Sequence, residues 1–137
     1  MTTRRTAIAG IVAALMLGAS AASTAAPVAV EQTPGDSYKR TELFFGGSRP
    51  DGTVITPAQF ELFLDKEVTP AFPDGLTWLE AHGQWMGGKE NSYQLILLYP
   101  YTNRKANKDI EEIRTDYKRQ FQQQSVLRAD SVERVSF

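Results

Sequence analysis

The alternation of apolar and polar positions divides the chain into an apolar leader and a folding segment. Residues 7–19 (AIAGIVAALMLGA) run almost wholly apolar behind Arg4 and Arg5, and small residues fill 20–26 (SAASTAA). A positive start, a short apolar run and a small-residue tail make the three-part pattern of a cleaved secretory signal, too short to span a membrane. Residues 1–26 are therefore expected to be a signal peptide, cut after Ala22, Ala25 or Ala26, with Pro27 disfavouring the last site. Thr3-Arg4-Arg5 faintly resembles a twin-arginine signal, although Thr6-Ala7-Ile8 continues it poorly. The protein is expected to be exported, periplasmic or secreted.

Residues 27–39 hold no sustained period and contain Pro34-Gly35-Asp36, which predicts a flexible lead-in. Residues 40–137 read as a single α+β domain. Within it, 41–45 (TELFF) is a strand ending at Gly46-Gly47. Thr56-Pro57-Ala58-Gln59 opens a helix: Thr56 caps, Pro57 takes the first helical position, and Gln59 completes a capping box. Phe60, Phe63, Leu64 and Val68 recur at helical spacing until Pro70. A second strand is predicted over 76–85 (LTWLEAHGQW), a loop over 86–91 (MGGKEN), and a third strand over 93–99 (YQLILLY), apolar enough to be buried on both faces. Asn107 is the expected cap of a second helix with Ile110, Ile113, Tyr117 and Phe121 as its buried stripe. A last strand falls in 125–137, broken near Asp130-Ser131.

Strand, helix, strand, strand, helix, strand is the order of a ferredoxin-like βαββαβ fold: an antiparallel four-stranded sheet with two helices on one face. The other face is then bare unless something covers it. Alternation assigns the more apolar set of the second strand, Leu79, Ala81, Gly83 and Trp85, to the helices, and Trp78, Glu80, His82 and Gln84 to the open face. On the first strand Leu43 and Phe45 point inward, Glu42 and Phe44 outward. On the third, either Ile96 and Leu98 or Leu95 and Leu97 look outward. Each large apolar side chain left in water forfeits about 1.5–3 kcal/mol of burial, so such a patch marks an interface or pocket. Two sheets packed face to face would make a homodimer enclosing a partly polar cavity.

Charge and composition narrow the chemistry. Lys and Arg number 15 against 16 Asp and Glu, and two of the basic residues lie in the leader, so the domain carries no basic footprint for nucleic acid or for an anionic membrane. The absence of cysteine excludes disulfides, thiol catalysis and a lipoprotein anchor, and a single histidine excludes His-rich metal centres. No cofactor and no metal site is expected. His82 shares its phase with Glu80, and with Tyr99 or Arg49 the pair makes a candidate proton-transfer site; the plainer alternative is a surface strand histidine. Arg49 and Asp51, in Ser48-Arg49-Pro50-Asp51-Gly52, are candidates for holding a polar ligand, with a turn as the competing explanation. Trp78 and Gln84 complete the candidate ligand-binding set. Gly46-Gly47 and Gly87-Gly88 do not match a phosphate-cradling loop.

Several segments, in order, resemble the bacterial domain of unknown function 3574 family. They are Thr41-Glu42-Leu43-Phe44-Phe45-Gly46 with Ser48-Arg49-Pro50-Asp51-Gly52, Val68-Thr69-Pro70, Phe72-Pro73-Asp74-Gly75-Leu76-Thr77, Gly83-Gln84-Trp85, and Gln124-Ser125-Val126-Leu127-Arg128. The resemblance spans residues 40–137 and implies a small exported protein, with no activity to carry over. Gly47 stands where the family pattern has a larger apolar residue, a departure expected to loosen the turn before Arg49.

The function this supports is an exported binding or interaction module, dimerising through the helix-free sheet face and taking a small polar ligand or a protein partner. The alternatives are a small cofactor-independent enzyme using His82 with Glu80 or Arg49, and a secreted inhibitor or chaperone-like domain presenting loops or a sheet edge.

Overall fold

The computed structural model describes residues 34–137; the leader and most of the lead-in lie outside the described residues. The elements run β1 (Asp36–Gly46), α1 (Pro57–Phe63) continuing into a π-helical stretch (Leu64–Val68), β2 (Thr77–Trp85), β3 (Gly88–Pro100), α2 (Ala106–Phe121) and β4 (Leu127–Val135). The four strands form one sheet in the order β2-β3-β1-β4, with every neighbouring pair antiparallel. This is the βαββαβ, ferredoxin-like arrangement that the element order predicted.

Local chemistry explains where the helices begin and end. Thr56 Oγ1 accepts from the Gln59 amide at 3.2 Å and Gln59 Oε1 accepts from the Thr56 amide at 3.0 Å, closing the capping box. At the far end the Thr69 amide reaches back five residues to the Leu64 carbonyl, the π-type bond that widens the last turn before Pro70. The second helix starts at Ala106 rather than after Asn107. Asn103 Oδ1 accepts from the Ala106 amide at 3.1 Å, so the capping side chain sits four residues earlier than the sequence suggested. Gln122 then ends α2 in the left-handed region at φ 51°.

Three strand limits differ from the pattern-based expectation, all in polar stretches. β1 begins at Asp36, because pairing with Val135 through Val132 of β4 extends it through Ser37, Tyr38 and Lys39. The loop expected over 86–91 shrinks to Met86-Gly87, both at positive φ (48° and 84°), which closes a type I′ hairpin. Lys89, Glu90 and Asn91 join β3, their polarity reflecting a solvent-facing hairpin rather than a loop. β4 runs unbroken through Asp130 and Ser131, which pair with Thr41 and Arg40.

The core lies between the sheet and the two helices. Leu43 and Phe45 sit opposite Leu95 and Tyr93, and all four are buried against Phe60, Phe63, Ile110, Ile113 and Tyr117. Its aromatic centre is tight: Phe60 stacks on Tyr93 with centroids 4.3 Å apart, and Phe45 meets Tyr117 edge-on at 4.5 Å. The phenols in this cluster are satisfied, Tyr93 donating to the Ile55 carbonyl (2.6 Å) and Tyr117 to the Gly46 carbonyl (2.7 Å). Burial, followed by the nearby Glu80 charge, raises the Tyr93 pKa, and burial above all holds Tyr117 neutral far beyond its ordinary range.

Gly47 does not loosen the turn. Its amide donates to the Asn91 carbonyl and its carbonyl accepts from the Ile55 amide, both at 2.8 Å. A Cβ at this position would collide with the Asn91 carbonyl oxygen, so glycine is what lets the two backbones approach.

Candidate functional site

The register of β2 on β3 decides which side chains occupy the helix-free face. Trp78 lies opposite Leu95 and Glu80 opposite Tyr93, so Trp78, Glu80, His82 and Gln84 share the helix side of the sheet. This corrects the phase expected from sequence. Trp78 packs edge-on against Phe60 (5.5 Å) and Tyr93 (6.0 Å), and that one large ring outweighs the greater apolarity of the opposite set. Beyond Trp78, the side chains of Glu80, His82 and Gln84 are exposed, so nothing apolar was needed in their phase.

The helix-free face therefore carries Leu79 and Trp85 of β2, Ile96 and Leu98 of β3, Phe44 of β1 and Leu127 of β4. Leu79, Trp85, Leu98 and Leu127 are 47, 58, 41 and 62% exposed. Phe44 outward was expected, and of the two phases open on β3 the structure selects Ile96 and Leu98. Amid these apolar groups sits one closed polar network. Arg40 Nη2 lies 2.6 Å from Glu42 Oε1, and Gln94 Nε2 donates to Glu42 Oε2 at 2.8 Å. Within this network the Arg40 and Glu42 charges are matched on the face itself.

At one end of the sheet the same surface runs into a cleft of about 520 Å³. Phe44, Trp85 and Leu127 contribute from the open face, Arg49 and Ser48 from the segment after β1, Gln84 and Met86 from the β2–β3 hairpin, Glu90 from β3, and Gln122 to Ser125 from the end of α2. The left-handed Gln122 turns the chain so that Gln123 Nε2 donates to the Ser48 carbonyl (2.8 Å) and the Phe121 carbonyl (3.0 Å), tying the end of α2 to the loop that holds Arg49. The Arg49 guanidinium lies over the Phe121 ring, 5.4 Å from its centroid, and reaches only neutral oxygens: Val54 O at 3.4 Å and Thr53 Oγ1 at 3.5 Å.

Of the ligand-binding candidates, the cleft unites Arg49 and Gln84 and leaves out Trp78 and Asp51. Asp51 Oδ1 accepts from the Thr53 hydroxyl (2.7 Å) and the Thr53 amide (2.9 Å), a side-chain-closed turn. Those two bonds, in that order, hold its carboxyl below the usual range, with a further contribution from the Arg49 charge. His82 and Glu80 stand two positions apart on an edge strand, with no hydrogen bond between them. Tyr99 cannot join them. It pairs with Lys39 near the far end of β3, eight residues from the His82 partner Asn91, or about 27 Å along a strand.

Two groupings escaped the sequence. Glu90 was hidden in what read as a loop, and Gln123 in a glutamine run at a helix end. The second grouping is a relay running from the core to the surface: Thr41 donates to Asp130 Oδ1 at 2.6 Å and bonds Tyr99 Oη at 2.9 Å, while Arg128 Nε holds the exposed Asp130 at 3.0 and 3.1 Å. The carboxylate can only accept, so Thr41 commits its single proton there and Tyr99 donates to Thr41.

Two structures of a phage SAM lyase share this fold at 15% sequence identity. The apo form gives a TM-score of 0.55 and covers 79% of this chain and 96% of its own; the form in complex with S-methyl-5'-thioadenosine gives 0.51, with 79 and 95%. CPII, a nitrogen regulatory PII-like protein from Thiomonas intermedia K12 bound to ADP, AMP and bicarbonate, gives 0.43 at 15% identity, covering 74% of this chain and 98% of its own. At such identities the likeness is one of fold. No curated protein matches the chain. Residues 40–137 match one family model across nearly the whole described segment, and the chain belongs to that family, described as protein of unknown function (DUF3574).

Proposed function

We propose that this chain is an exported binding module that covers its helix-free sheet face with a second copy of itself and holds a small polar ligand in the sheet-end cleft. The observation that carries this reading is the apolar strip of Phe44, Leu79, Trp85, Ile96, Leu98 and Leu127, which crosses all four strands and runs into the cleft. Four strands about 4.8 Å apart and about 30 Å long give a face of about 600 Å², so two copies bury about 1,200 Å², the lower edge for a specific interface. The Arg40–Glu42–Gln94 network supports a like partner, since its own two charges are already paired and self-apposition does not require either to find a new one. The phage SAM lyase of the same fold holds a small molecule, which shows that such a scaffold accommodates one.

Native mass spectrometry of the exported protein tests the assembly. A dimer is expected, and Leu98→Glu, which places a carboxylate in the strip, is expected to yield a folded monomer. A wild-type monomer at micromolar concentration would sink the proposal.

A further inference from the structure

The sheet-end cleft holds two half-buried charges of opposite sign that do not pair with each other or with anything else charged. Arg49 is half-buried and forms no salt bridge among the described residues; its contacts are the Phe121 ring and two neutral oxygens at 3.4 and 3.5 Å. Asp51 feels the Arg49 charge but spends Oδ1 on Thr53. Glu90 is likewise half-buried, without a hydrogen bond or cation partner among the described residues. Elsewhere in the domain Arg40 is matched with Glu42, Arg114 with Glu111, and Arg128 with Glu111 and Asp130, while Glu67, Lys118 and Glu133 stand half-buried without a salt bridge among the described residues; what sets the cleft apart is that two such charges of opposite sign line one cavity. Withdrawing a charge from water without a partner costs stability, so an unmatched pair in one cavity points to a ligand that completes it.

Gly46 borders the cleft beside Glu90. A Cβ there would collide with Gln123 Oε1 and stand 3.5 Å from Glu90 Oε2, so both acceptors border the space that glycine leaves open. Both amide protons of interest on Gln123 Nε2 go to the Ser48 and Phe121 carbonyls, which turns Oε1 toward that space as a free acceptor. A carboxylate and an amide oxygen together suit an ammonium group, and the planar guanidinium of Arg49 suits a carboxylate. Trp85, Met86 and Leu127 line the same cleft, all three more than half exposed.

We infer that the cleft binds a free α-amino acid with an apolar side chain: its carboxylate on Arg49, its ammonium on Glu90 and Gln123 Oε1, and its side chain against Trp85, Met86 and Leu127. The cavity of about 520 Å³ has room for such a ligand. This inference rests on the binding-module reading and names the ligand class of its cleft.

Isothermal titration calorimetry of the exported protein with L-leucine, 4-methylpentanoate and 3-methylbutylamine separates the contributions. Leucine is expected to bind with Kd of about 1 mM or tighter, and each singly charged analogue at least about tenfold more weakly, the loss of one charge-assisted contact. Glu90→Gln is expected to abolish the preference for leucine over 4-methylpentanoate, and Arg49→Gln that over 3-methylbutylamine. Gly46→Ala, which fills the ammonium side of the cleft and removes neither charge, is expected to weaken leucine and 3-methylbutylamine and to leave 4-methylpentanoate unchanged. No leucine binding at about 10 mM to the folded protein, or equal affinity for all three probes, overturns the inference. The subunit count of the same sample keeps the two ideas apart. A dimer that ignores leucine refutes only the ligand class, and a monomer that binds leucine refutes only the assembly.

Discussion

Replacing Thr41 by valine removes one hydroxyl from the relay without changing side-chain volume, so no cavity complicates the result. Thr41 is fully buried, and its hydroxyl links Tyr99, only 5% exposed, to Asp130. Asp130 is half-exposed and keeps both contacts to Arg128 at 3.0 and 3.1 Å, so it recovers most of its loss from water. Tyr99 does not recover: its phenol proton is left facing a methyl group in the core. A stranded buried donor costs about 1–3 kcal/mol, so a net loss of about 2 kcal/mol is expected. For a domain of this size that lowers Tm by about 8–16 °C. Urea denaturation of wild type, Thr41→Val, Tyr99→Phe and the double variant closes the cycle. The double variant should recover at least about 1 kcal/mol relative to additivity, because Tyr99→Phe removes the donor that valine strands. A Thr41→Val protein within about 0.5 kcal/mol of wild type, or strictly additive variants, would refute the relay.

Two further changes probe the electrostatics and the hairpin. The Glu111 carboxyl lies below its ordinary value of 4.5 because Arg128 donates to it and Arg114 adds to this, partial burial opposing them. Its contribution to stability is therefore present above about pH 4.5 and is lost as pH falls through the lower folded value. Chemical denaturation from pH 6 to pH 3 should show a shallower decline in Glu111→Gln than in wild type, and parallel curves would contradict the assignment. Met86 is an exposed side chain held at φ 48° in a type I′ turn, where asparagine is better tolerated. Met86→Asn is expected to stabilise the hairpin by about 0.5–1 kcal/mol in urea melts; a loss of stability would show that Met86 makes contacts that outweigh its backbone strain.

What the sequence determined is what repeats locally. Thr56-Pro57-Ala58-Gln59 announces α1 because capping is a matter of four adjacent residues, and Ile110, Ile113, Tyr117 and Phe121 announce the buried stripe of α2 because helical period is written along the chain. Their order with four strand-like segments is enough for the βαββαβ arrangement. What only the tertiary structure decided is whatever depends on pairing. A strand's period tells which residues share a face, but not which face is buried; for β2 that was settled by Trp78 packing against Phe60 of α1, against the apolarity of Leu79 and Trp85. The polar ends of β1 and β3 are strands only because β4 and β2 lie beside them. The candidate site follows the same rule. Arg49 was legible as a forked cation after a strand, yet its unmatched partner Glu90 lies 41 residues away and Gln123 farther still, joined through the backbone contact that Gly47 makes with Asn91. No local pattern encodes a charge left unpaired, since its meaning is set by what the fold brings near it and what it leaves out.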